Sequence, residues 1–123
     1  MPSHYQKTTK VLREQYGLRT FIDYQKVEFI TPRTGRKYDL FHIIDLLILK
    51  PSFIGIQVCG SDYMPHVRTI RDERKEYTIA WLSSGAGLEI WSWRKKKKKW
   101  VAHIADVTLV RGEIYIEERW KKK

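Results

Sequence analysis

One stretch governs what this chain can fold into. Leu40 to Leu49 is almost uninterruptedly apolar, and Lys50-Pro51-Ser52 then turns the chain toward a second apolar stretch, Phe53 to Cys59. A short apolar run bounded by turn residues reads as a strand covered on both faces. Two such runs in succession predict a hairpin in the middle of a core, with other elements packed over it. The first run is broken by His42 and Asp45 and falls short of the roughly 18 apolar residues that a membrane span needs. The start of the chain has no apolar block followed by a small-residue cleavage site, so the reading is a soluble cytoplasmic protein with no membrane partner.

The rest of the chain supplies what the hairpin needs. Ser3 opens a helix over about 4–16, with Tyr5, Thr8, Leu12 and Tyr16 along one face and Gly17 as its stop. Phe21 to Ile30 is rich in strand formers and precedes a basic turn, 31–37. After the hairpin, Gly60-Ser61-Asp62 breaks the chain and caps a second helix that runs to about Leu82. Leu88 to Trp93, Trp100 to Ile104 and a last hairpin around Arg111-Gly112 then read as strands. The sum is a single α/β domain, 1–123, with a central mixed sheet flanked by helices. One cysteine, Cys59, excludes an internal disulfide and a zinc knuckle.

Charge narrows the partner. The formal net charge is +10 over 123 residues, and a domain so basic attracts polyanions, nucleic acid first among them. Arg94, Lys95, Lys96, Lys97, Lys98 and Lys99 stand consecutively between Trp93 and Trp100. They are expected to form a mobile loop that phosphates neutralise. Arg33, Arg36 and Lys37 lie in the earlier basic turn, and Lys121 to Lys123 make a short basic tail. Absence of Asn, with Lys, Arg and Glu plentiful, is a thermophile tendency.

Asp45 carries the chemistry in this reading. An unpaired carboxylate inside Ile43-Ile44-Asp45-Leu46-Leu47 is expensive to bury, so a metal ion, a cationic partner or a strand edge must accompany it. On Gly55 to Cys59, alternation puts Gln57 and Cys59 on one face and Ile56 and Val58 on the other. Asp39 has the parity of Asp45 and would share its face if the strand extended that far. Mg²⁺ takes oxygen ligands and few carboxylates. Asp45, the Gln57 side-chain oxygen and the Val58 carbonyl would suit it, and a bound dication there would suit phosphodiester hydrolysis.

Asp45, the short turn and Gln57-Val58-Cys59, set between an N-terminal helix and a later basic helix, resemble the core of the PD-(D/E)XK nuclease superfamily. Val27-Glu28, Asp39-Leu40-Phe41, Ile56-Gln57-Val58, Val67-Arg68-Thr69-Ile70 and Glu89-Ile90-Trp91-Ser92-Trp93 extend the likeness to small phage and prophage nucleases similar to archaeal Holliday junction resolvases. The resemblance implies a restriction-endonuclease-like core in the order α-β-β-β-α-β-β. It implies catalytic Asp45 and Gln57, accompanied by Asp39 and Glu28, with Asp45, Gln57, Val58 and Asp39 holding Mg²⁺ or Mn²⁺. It also implies a homodimer acting on four-way junctions or other branched DNA.

Two positions depart from the pattern: Gln57 replaces a carboxylate, and Cys59 stands where a lysine is usual. Arg68 and Lys75 on the second helix are the candidates to supply the missing cation. If none does, the alternative is a DNA- or RNA-binding module on the same fold that does not cut.

Overall fold

The computed structural model describes residues 2–30, 33–35, 37–41 and 43–121, and only the backbone of 28–30, 37–38 and 121. Helix α1 spans His4–Glu14 and starts with a capping box: Ser3 accepts from the Gln6 N–H and the Gln6 side chain accepts from the Ser3 N–H. Five short strands follow: β1 (Tyr24–Lys26), β2 (Glu28–Ile30), β3 (Lys37–Asp39), β4 (Leu46–Ile48) and β5 (Ile54–Cys59). Helix α2 (Tyr63–Arg68) runs through a wider π-helical turn, Thr69–Glu73, into α3 (Lys75–Ser83). Long strands β6 (Gly87–Lys96) and β7 (Lys99–Val110) and the shorter β8 (Glu113–Glu118) complete the chain before a 3₁₀ turn, Arg119–Lys121.

The fold is α/β: a six-stranded mixed sheet in the order β1-β4-β5-β6-β7-β8, with β2 and β3 paired in a separate ribbon. Only β5 and β6 run parallel, because the α2–α3 segment crosses over between them. Alternation on the strands divides the core into two layers. Leu46, Ile48, Ile56, Trp91 and Trp93 pack with Leu12 of α1. Cys59, Leu88, Ile90 and Val107 pack on the other face with Val67, Ile70 and Trp81 of the later helices. Among the described residues no helix is long and apolar enough to cross a membrane.

Three expectations change. The run Leu40 to Leu49 is not one strand: only Leu46–Ile48 is, while Leu40 to Ile44 closes a turn through the Leu40 N–H to Ile44 carbonyl bond of 2.9 Å. Ile43 and Ile44 still reach the core from that turn, so their apolarity served packing rather than strand pairing. Phe21 to Ile30 is likewise divided. At Val27 the chain leaves the main sheet, its N–H donating to the Asp45 carbonyl at 2.8 Å and its carbonyl accepting from Leu40.

The lysine run, third, is not a loose loop. Lys95 stands opposite Trp100 and Lys96 opposite Lys99, leaving Lys97 and Lys98 as a two-residue turn with φ of 48° and 68°. Two positive φ values are the type I′ hairpin geometry, which closes long twisted strands tightly. Ladder pairing along β6 and β7 outweighs the repulsion between the lysines. The last hairpin, at Arg111-Gly112, lies where the sequence placed it. Arg36, His42, Lys122 and Lys123 lie outside the described residues.

Candidate active site

The β4–β5 pairing places Leu46 opposite Ile56, a register that would put Ile44 opposite Val58 if β4 continued. It does not, because the Ile44 carbonyl is taken by Leu40. The Val58 N–H donates instead to Asp45 Oδ2 at 2.8 Å. The half-buried carboxylate thus stands in for a missing strand neighbour at the place where the sheet opens.

In front of it lies a cleft of about 330 Å³ whose wall carries Asp39, Asp45, Gln57 and Val58. Lys26, His4, Tyr5 and His66 complete the lining. Asp39 and Asp45 therefore face one space, although a turn rather than a regular strand brings them there. Glu28 stands opposite Asp39 in the β2–β3 register. A larger, mainly apolar cleft of about 510 Å³ lies by Leu18 and Ile54. Its one carboxylate, Glu89, is bound to Trp91 Nε1 and Arg119.

Gln57 is over nine-tenths buried at 8% exposure. Its Nε2 donates to His66 Nδ1 at 3.1 Å, and His66 Nε2 bonds Asp62 Oδ2 at 3.0 Å. The amide is held by its nitrogen end, and Oε1 has no hydrogen-bond partner among the described residues. A buried acceptor left over costs about 1–3 kcal/mol unless something outside the protein occupies it. Asp62 begins α2, yet its side chain makes no capping bond there; it accepts from the Gly60 N–H and pairs with His66 instead.

Cys59 is 5% exposed in the inter-helix layer. Burial, with the Asp62 carboxylate adding to it, pushes its thiol up to about 12. A neutral thiol facing the core leaves the role of the absent lysine to another side chain. Arg68 and Lys75 are exposed and do not line the cleft, whereas Lys26 does. Lys26 stands opposite Leu46, the residue after Asp45, and its Nζ lies 5.0 Å from the Tyr5 ring. Sequence reading missed it because a three-residue strand gives too short a pattern to assign a face.

The basic hairpin meets this cleft through aromatic contacts. Lys7 Nζ sits 3.3 Å above the Trp100 ring and Lys95 Nζ 5.6 Å from it. His4, on the cleft wall, packs edge-on against the same ring at 5.5 Å. Burial and the neighbouring Lys7 lower the His4 pKa. Trp91 and Trp93 are core residues, whereas Trp100, at 38% exposure, reaches the surface. Arg94 is half-buried, Lys95 to Lys99 and Arg33 are exposed, and Lys37 lies in β3.

No family model, curated protein or solved structure matches the chain.

Proposed function

We propose that this protein is a metal-dependent endonuclease of the PD-(D/E)XK type that hydrolyses phosphodiester bonds in branched DNA, resembling Holliday junction resolvases and acting as a homodimer. The observation that carries the reading is the convergence of Asp39, Asp45, Gln57 and Val58 on one cleft. In the main sheet the chain runs α1, β1, β4, β5, then α2–α3, then β6. That succession, continued by β7, supports the α-β-β-β-α-β-β core, extended here by β8 and by the separate β2–β3 ribbon.

The donors fit Mg²⁺ or Mn²⁺, since all are oxygens and Gln57 Oε1 is a buried acceptor still without a partner among the described residues. Asp45, Gln57 and Asp39, with the Val58 carbonyl, would hold the ion. When bound, it supplies Lewis acidity to the phosphate and lowers the pKa of an attacking water. The protein's own groups do the rest. His66 holds the Gln57 amide by its nitrogen, which leaves Oε1 to meet an ion, and Lys26 offers positive charge to a phosphate lying in the cleft. Lys7 and the hairpin lysines hold the flanking backbone. Symmetric cutting of a junction requires two such sites, hence a dimer.

The test uses labelled four-way junction and linear duplex with Mg²⁺, Mn²⁺ or EDTA. The proposal expects metal-dependent cleavage of the junction, lowered about 10²-fold or more in Asp45→Ala. Lack of cleavage of any DNA in either metal, with parent and variant alike, removes the nuclease. The amide at 57 and the buried thiol at 59 favour one second reading, a module that binds without cutting. It predicts salt-sensitive binding that needs no metal and survives Asp45→Ala, with competition by structured RNA deciding between nucleic acids.

A further inference from the structure

A second constellation lies on the chain between β5 and α2. Cys59 ends β5 opposite Ser92, the backbone turns through Gly60-Ser61, and Asp62 and His66 follow one helical turn apart. One ligand atom from each of Cys59, Asp62 and His66 lies within 4.8 Å of the other two. We propose that these three side chains form a second metal centre, one for a thiophilic transition-metal dication of the zinc or cobalt class.

The donor types make the choice of metal. Magnesium and calcium are bound by oxygens, whereas a sulfur and an imidazole nitrogen together select zinc and its neighbours. Each ligand is already anchored. Cys59 is held by strand pairing, and Asp62 Oδ1 accepts from the Gly60 N–H at 3.0 Å. His66 is fixed between the Gln57 amide and Asp62. Neighbouring ligand atoms in a tetrahedral zinc site stand about 3.5 Å apart, so closing the set requires a shift of about 1 Å. Asp62 Oδ2 and His66 Nε2 already stand 3.0 Å apart, so the shift falls on their distance to the Cys59 sulfur. The thiol is buried while Asp62 is exposed and His66 half-exposed, which leaves one open side for an ion to enter. Three protein ligands leave a fourth position for water, the arrangement of an open site rather than a closed structural one. On binding, the metal–sulfur bond replaces the S–H bond and one proton passes to solvent.

The new centre shares a residue with the proposed active site. A metal on His66 Nε2 places the ring proton on Nδ1, which then needs an acceptor. The group already in contact there is the Gln57 amide, which would turn end for end so that Oε1 accepts from Nδ1–H. That oxygen is the one the nuclease reading assigns to magnesium. Resting on that reading, the inference makes the thiophilic ion an inhibitor of the Mg²⁺ site.

Titrating the reduced full chain with Co²⁺ tests the centre without reference to activity. A thiolate-to-cobalt charge-transfer absorption saturating at one equivalent is expected. Cys59→Ser should abolish it, and His66→Gln and Asp62→Asn should each weaken the affinity tenfold or more. Asp45→Ala should leave it intact, so loss of the nuclease and loss of this centre give different results. Zn²⁺ should also raise the melting temperature of the parent by several degrees, a rise absent from the Asp62→Asn/His66→Gln double variant, whose substitutions lie at accessible positions. No sulfur–cobalt absorption at stoichiometric Co²⁺, or an absorption unchanged in the double variant, overturns the proposal.

Discussion

Asp45 has one task that the structure shows and a second that the proposed function adds, and substitution can separate them. Its Oδ2 accepts the Val58 N–H, so Asp45→Ala leaves that donor unpaired and should cost about 1–2 kcal/mol in denaturant unfolding. Asp45→Asn keeps an acceptor and should unfold closer to the parent, while both variants lose cleavage. Gln57→Glu restores the carboxylate that the nuclease pattern favours, and the Mg²⁺ concentration for half-maximal cleavage should fall about tenfold; an unchanged or higher requirement would remove Gln57 from the ion's shell. A different acid should set the response of the fold to low pH. Buried Asp23 accepts from the Arg19 side chain at 2.9 Å and the Arg19 N–H at 2.8 Å, with Lys50 at 3.5 Å. These hold its carboxyl well below the usual range. A depressed pKa contributes stability that is present above the unfolded-state value, about 4, and is lost as pH falls toward the folded one. Melting temperature should therefore drop below about pH 4 in the parent and drop less steeply in Asp23→Asn.

The elements show which local signals can be read and which cannot. Ser3 with Gln6, Gly17 with φ of 69° and Gly112 with φ of 80° are legible because each uses a residue type suited to its backbone. The β5 alternation is legible too, and it placed Gln57 and Cys59 on one face. Leu40 to Ile44 was not, since its turn has no Gly or Pro and relies on Phe41 at φ of 51°. The Cys59–Asp62–His66 group escaped because its ligands span a strand end, a turn and a helix, so no single periodicity joins them. Lys97 and Lys98 are the sharpest case, two lysines in a turn that prefers Asn-Gly. Left-handed backbone costs an ordinary residue about 1 kcal/mol. The Lys97→Asn/Lys98→Gly double variant should consequently be more stable by about 1–2 kcal/mol yet bind DNA more weakly, which thermal melts and salt titrations would show together. Gly55 is constrained in the opposite sense. A Cβ there would sit 2.7 Å from Ile44 Cδ1, and Gly55→Ala should destabilise by about 1–3 kcal/mol.

At the scale of the whole molecule, six of the cations behind the +10 charge stand consecutively at 94–99. Lys95 of the hairpin and Lys7 both meet Trp100, which His4 joins to the cleft; under the proposed function a backbone bound along the hairpin would be led toward Asp45. Each phosphate contact adds about 0.9 to the slope of log affinity against log salt on duplex DNA. Removing Lys95 to Lys99 should flatten that slope by several units if all engage, and no change would place the DNA elsewhere. The proposed chemistry depends above all on a dication in the cleft that carries Asp39, Asp45, Gln57 and Val58. The free Mn²⁺ signal in electron paramagnetic resonance, titrated with the full chain, measures this directly. The parent should deplete the signal, and Asp45→Asn, with its fold intact by circular dichroism, should leave most of it in place. Equal depletion by parent and variant, or none by either, would contradict the account.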